Sequence, residues 1–252
     1  MILIISPAKK LDFDDVVPEI GMSRPQLMSD AVELASIMSK QSQDEIKHLM
    51  KLSDNLASLN FERYQSWTDD ISELHSKQAI LAFRGDVYAG MAATSFEQSD
   101  FDFAQQHLRI LSGLYGVLRP LDMIQPHRLE MGTKLANKRG RDLYAFWREK
   151  SAKLIDYESP IINLSSQEYF KSIEQSQLSS KVITPVFKDM KNGEYKIISI
   201  YAKKARGMMV DFALRNRLSN PEQLKEFSAA GYKFSKDGSN DEQLLFLRDM
   251  HI

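Results

Sequence analysis

Two runs of consecutive apolar residues, Ile2–Ile5 and residues 79–83, constrain the fold of this 252-residue chain more than any other feature. A strand with no polar residue offers no face to water, so it is read as buried. Both runs break directly into charged loops, Ser6-Pro7-Ala8-Lys9-Lys10 after the first and Arg84-Gly85-Asp86-Val87-Tyr88 after the second. The end of a buried strand is a common ligand position. A further strand is predicted at residues 160–164. Asn192-Gly193, between residues 182–187 and 195–201, predicts a two-residue hairpin. Residues 231–235 and 244–247 read as a terminal strand pair.

Helical periodicity fills the intervals between these runs. Apolar spacing predicts helices over residues 27–38 and 46–59, forming a helical hairpin separated near residues 40–43, and a short third helix at 61–67. Residues 102–108, 142–157 and 202–218 read as further helices, the last basic and amphipathic, and Ser166 with Tyr169 and Phe170 resembles a helix start. Residues 12–25, broken by Pro18, Gly21 and Pro25, read as an extended loop, and residues 110–117 fit either strand or turn. No repeat or composition break marks a linker. The expectation is one domain over residues 1–252, α/β in class (mixed α+β), with a mixed sheet surrounded by helices.

Residues 111–132 form the densest block of special residue types. Within these 22 residues lie three glycines, two prolines, two arginines, His127, Asp122 and Glu130 among aliphatics. Glycine opens backbone conformations closed to other residues and proline fixes its own, so the block reads as a sharply turning path that holds charged side chains still.

The net charge of -1 conceals an asymmetry. Residues 1–100 carry 9 Lys and Arg against 16 Asp and Glu, whereas residues 101–252 carry 24 against 18. Residues 181–217 alone hold 9 basic against 3 acidic residues, enough for a polyanion footprint or, more commonly, a solvated helix face. The absence of cysteine excludes thiolate catalysis, disulfides and cysteine-ligated metal centres. No apolar run approaches the roughly 18 residues that span a bilayer, so a cytoplasmic protein is expected, without membrane contact.

Phosphate-loop, Gly-x-Ser-x-Gly and dinucleotide signatures are all absent, and no cofactor is expected. The five histidines, His48, His75, His107, His127 and His251, never stand at metal-binding local spacing. Arg84 with Asp86, and Arg128 with Glu130, are pairs two residues apart that share a side of an extended backbone. Converging carboxylates at Asp86 and Glu130 would raise one pKa towards neutrality and suit general acid/base work. Lys203, Lys204 and Arg206 behind Tyr201 suit a nucleic-acid backbone. Gly207 allows close approach of another backbone, or simply tight helix packing.

Ser6-Pro7-Ala8-Lys9, residues 83–88, residues 111–132, Asp102-Phe103-Ala104-Gln105-Gln106-His107, Glu168-Tyr169-Phe170-Lys171 and residues 201–207 together resemble the bacterial peroxide-stress protein YaaA family, over essentially the whole length and in family order. The resemblance implies a fold unlike the common superfolds and a cytosolic role against hydrogen peroxide, linked to lower free iron and DNA binding. It also implies a helix-hairpin-helix element around residues 43–64 and a positive cleft. The chain departs from that pattern in having no glycine in residues 56–60.

The leading expectation is therefore a peroxide-stress protein that binds double-stranded DNA through Lys9, Arg84, Arg109, Arg119, Arg128, Lys171, Lys203, Lys204 and Arg206. The alternative is an enzyme on a nucleotide or modified nucleobase, with Asp86 or Glu130 as acid/base and Lys9 with Arg128 holding the anion. A third reading, iron sequestration, draws on His107, His127, Asp122 and Glu130.

Overall fold

The computed structural model describes residues 1–15, 19–72, 74–155 and 158–249. Part of the predicted loop (residues 16–18), the end of the helix predicted to residue 157, and His251 lie outside the described residues.

From the amino end, β1 (Ile2–Ile5) and a short β2 (Lys10–Leu11) precede three helices, α1 (Met28–Met38), α2 (Gln43–Met50) and α3 (Asp54–Ser66). A compact stretch follows: β3 (Lys77–Gln78), α4 (Ala79–Ala82), β4 (Phe83–Arg84) and α5 (Asp86–Met91). Next come α6 (Gln98–His107), β5 (Leu108–Ser112), β6 (Gly116–Leu118), β7 (Met123–Ile124), α7 (Leu143–Lys153), β8 (Ile161–Asn163) and α8 (Gln167–Phe170). The last third holds β9 (Val182–Lys191), β10 (Glu194–Lys196), α9 (Ser199–Arg215), β11 (Lys233–Ser235) and β12 (Gln243–Arg248).

The main sheet runs β11-β12-β9-β8-β1-β5-β6, with β10 also on β9. Strands β12, β9, β8, β1 and β5 are mutually parallel, and β6, β10 and β11 are antiparallel additions, so the sheet is mixed as expected. β1 is central: Leu3 pairs with Leu108 on one side and Ile162 on the other, and Ile4 and Ile5 have no exposed surface. From β1 the chain goes first to β5 on one flank and later to β8 on the opposite flank. Connections leave in opposite directions there, so the carboxyl ends of β1 and β8 stand open, the position where α/β sheets take ligands.

Several predicted elements hold. Asn192 and Gly193 both have positive φ, 53° and 79°, in the tight turn joining β9 to β10. The terminal strand pair is β11 with β12, and Ser166 precedes α8. Other boundaries differ for identifiable reasons. The predicted strand at 79–83 is mostly helix α4, because the N–H groups of Ala79 and Ile80 bond to the carbonyls of Asp122 and Pro120 at 2.9 and 3.0 Å rather than to a strand ladder. The single helix predicted over 46–59 is broken at Lys51, which turns left-handed (φ 53°), so Leu56 to Asn60 lie inside α3 and not in a hairpin. Residues 199–201, predicted as strand, begin α9. Residues 110–117 contain both alternatives, a strand, a turn and the start of β6, with Gly116 at φ +71°.

Candidate functional site

Two serines join the open ends of β1 and β8. Ser6 Oγ accepts the backbone N–H of Ser166 at 2.9 Å and donates to Ser166 Oγ at 3.3 Å, while Tyr88 OH donates to the Ser6 carbonyl at 3.1 Å. Over this junction opens a cleft of about 510 Å³. Pro7, Ala8, Val87, Leu164 and Tyr169 give it apolar surface, and Lys9, Lys10, Arg84, Lys203 and Arg206 line it with Asp86, Glu130 and Glu168.

A close helix crossing forms one wall. A Cβ on Gly207 would lie 1.9 Å from the Val87 carbonyl oxygen, and one on Gly90 would lie 2.2 Å from that of Lys204, so α5 and α9 meet backbone to backbone at both glycines. This contact places Lys203 and Arg206 in the cleft lining, as Asp86 is, and leaves Lys204, which is exposed, outside that lining.

Each charge in the cleft has a distinct environment. Glu130 is gripped by Lys9 Nζ at 2.7 Å and by the Arg128 guanidinium at 2.8 Å. Burial pushes its carboxyl up, but the hydrogen bonds and charges of Lys9 and Arg128 outweigh burial and hold it below its ordinary range. Glu130 is therefore an anchored carboxylate and not the raised acid expected from the sequence, and Lys9 and Arg128 already have an anion between them. Arg84 is engaged by Asp12 at 3.1 Å and Asp15 at 2.8 Å, and it donates to the Leu81 carbonyl at 2.9 Å. Glu168 sits at the rim, where one oxygen accepts the Gly132 N–H at 3.0 Å.

Three groups are different. Asp86 is half-buried, and neither it, Lys203 nor Arg206 has a hydrogen-bond or ion-pair partner among the described residues. Burial alone lowers the proton affinity of the half-buried Arg206 guanidinium. A concave site lined by an unpaired cation of this kind and by an unpaired carboxylate is chemically equipped to hold an anion with the first and to move a proton with the second.

The remaining candidates lie elsewhere. Arg109 is buried and donates to the carbonyls of Gln105 and Leu108 at 3.1 and 2.8 Å. Arg119 pairs at 2.9 Å with Asp122, which has no exposed surface. Lys171 is exposed at the end of α8 and does not line the cleft. The basic stretch 181–217 does not form one patch: Arg215 meets Asp211 at 2.8 Å, Arg217 meets Asp100 at 2.8 Å and Lys196 meets Glu194 at 2.7 Å.

The four residues of the iron reading are dispersed. His107 faces the Met1 carbonyl at 3.0 Å, His127 the Gln125 carbonyl at 2.7 Å, Asp122 takes Arg119 and Glu130 takes Lys9. Among the described residues no group of three or more His, Asp or Glu could hold a metal ion.

The block 111–132 is mainly a packing device. A Cβ on Gly113 would fall 2.1 Å from the Leu129 carbonyl oxygen, so the segment doubles back on itself there, and Trp147 Nε1 donates to the Gly113 carbonyl at 2.9 Å. Within the block, Arg128 reaches the edge of the cleft through Glu130. A larger depression of about 990 Å³ lies along residues 66–78 and 123–126, but its one lysine, Lys77, donates to the Asp15 carbonyl at 3.0 Å. The strand-end cleft is the better candidate because unpaired groups of opposite sign line it.

Sequence reasoning missed Ser6 and Ser166 as partners, 160 positions apart, and Asp12 and Asp15 as counter-ions of Arg84. The strand-end position was the one available signal for Ser6. No helix among the described residues is long and apolar enough to cross a membrane. Residues 1–238 match the family described as peroxide stress protein YaaA.

Proposed function

The chain belongs to the peroxide stress protein YaaA family, and from that premise we propose that it serves peroxide defence by binding a phosphate-bearing small molecule in the strand-end cleft and acting on it as an enzyme. The observation that carries this reading is Arg206, half-buried on the cleft wall without a protein anion. Arg206 and Lys203 hold the phosphate, Asp86 takes a proton from a hydroxyl of the ligand and returns it, and Glu130 keeps Lys9 and Arg128 in place. A volume of about 510 Å³ fits a ligand of this size. The test is survival of peroxide challenge by cells carrying Asp86→Asn or Arg206→Ala in place of the wild-type protein. Sensitivity of both variants, with wild-type folding, is expected; full protection by Asp86→Asn would remove the acid/base role.

A second reading, double-stranded DNA, is favoured by the exposed lysines Lys10 and Lys203 in the cleft lining and Lys204 next to it on α9. They would meet phosphates without reading bases, in the cytoplasm, and shield DNA from iron-dependent damage without the protein ligating iron. Duplex affinity that is independent of ionic strength would exclude it.

A further inference from the structure

We infer that the cleft ligand is a free ribonucleoside 5′-phosphate, its phosphate on Arg206 and Lys203 and its ribose hydroxyls on Asp86. This narrows the small-molecule reading above and rests on it.

Three kinds of surface meet in the cleft, and a ligand must satisfy all of them. The first is cationic and unneutralised: Arg206 and Lys203, with the exposed Lys10 in the same lining. A phosphate accepts from a guanidinium and an ammonium at once, and Arg206 is partly stripped of water already.

The second is the half-buried carboxylate of Asp86, which has no partner among the described residues. A phosphate bound in the same cleft is repelled by it unless hydrogen-bond donors stand between the two anions. A ribose ring is such a spacer. It is attached to the phosphate and carries two neighbouring O–H donors, which a carboxylate accepts together. Glu168, one oxygen fixed by the Gly132 N–H at 3.0 Å, adds acceptor capacity at the rim. The hydroxyls of Ser6 and Ser166 lie at the base of the same space.

The third is apolar: Pro7, Ala8, Val87, Leu164 and the ring of Tyr169, which is nine-tenths or more buried. Inorganic phosphate or a sugar phosphate leaves this surface wet, whereas a planar base covers it. Duplex DNA fails on two counts, since its bases are stacked away and its sugar lacks the 2′-hydroxyl.

The experiment is isothermal titration of the full chain with AMP, GMP, CMP and UMP, their 2′-deoxy counterparts, ribose 5-phosphate, inorganic phosphate and a 5′-phosphorylated oligoribonucleotide. At least one ribonucleotide is expected to bind about tenfold or more tightly than its deoxy form and than ribose 5-phosphate, because the deoxy form leaves the carboxylate short of a donor. Asp86→Ala should bring the ribo-to-deoxy ratio close to one while inorganic phosphate binds at least as well as to the wild type, which also shows that the variant is folded. Arg206→Ala should weaken every phosphate ligand about tenfold or more.

Equal affinity for ribo and deoxy forms, or for ribose 5-phosphate and the nucleotides, would overturn this inference and leave the small-molecule reading standing. Tighter binding of the oligoribonucleotide than of any mononucleotide would overturn a free ligand. Absence of binding by every phosphate compound would overturn both.

Discussion

His127 illustrates how a residue that suggests chemistry in a sequence can act in packing instead. It is buried against Tyr115 and Phe83, and because a carbonyl can only accept, its Nδ1–H donates to Gln125 at 2.7 Å. Burial pushes its pKa down from 6.5 to about 4. Between those values the unfolded chain binds a proton that the folded chain refuses, so folding stability should fall as pH drops below 6.5 and level off near 4. The loss is roughly 3 kcal/mol at full extent. Urea midpoints at pH 7 and pH 5 should differ in the wild type and differ much less in His127→Leu. Glu130 acts in a lower window. Its folded pKa is depressed, so the stability it contributes is present above its ordinary value of 4.5 and is lost as pH falls through the folded value. Glu130→Gln should remove that acid-side loss and cost about 1 kcal/mol at pH 7, since Lys9 and Arg128 lose their common anion. Neither role was legible beforehand, because nothing in the spacing of the block says which polar group turns inward.

At the scale of elements, α5 and α9 carry the site. Gly207 in the middle of a helix ordinarily costs about 1 kcal/mol against alanine. Here the sign reverses: the Val87 carbonyl stands 1.9 Å from where the new methyl would sit, and neither backbone can yield without parting the helices. Gly207→Ala should therefore destabilise by about 2 kcal/mol or more, measured by urea unfolding, and weaken any ligand of Arg206. The packing role of Gly207 was available from the sequence as one of two readings. The periodic segments and the Asn-Gly hairpin were also legible, because periodicity and turn chemistry are local. The helix at Ala79–Ala82 was not, since the five-residue apolar run that contains it reads alike as buried strand or buried helix and its choice depends on carbonyls about 40 positions away.

For the molecule as a whole, the sequence shows how many cations there are and the fold decides which are available. Of the nine expected in one cleft, Arg109 and Arg119 are engaged by internal acceptors, Lys171 stands apart, and Lys9, Arg84 and Arg128 face carboxylates. Counter-ions distant in sequence carry no local signal, so this division could not be anticipated. It has a measurable consequence for DNA. A cleft with nine free cations would give a slope of log affinity against log salt near about −8, whereas Lys10, Lys203, Lys204 and Arg206 alone would give about −3 to −4 if duplex DNA is bound. Fluorescence anisotropy of an arbitrary-sequence duplex over a salt series distinguishes the two.

The Ser6–Ser166 bond has an implication for biosynthesis. One wall of the cleft is made 160 positions before its companion, and Lys203 and Arg206 on α9 come later still. A nascent chain that has not reached Lys203 lacks the groups proposed to grip a ligand, so any stabilisation of the cleft by that ligand waits until α9 is made.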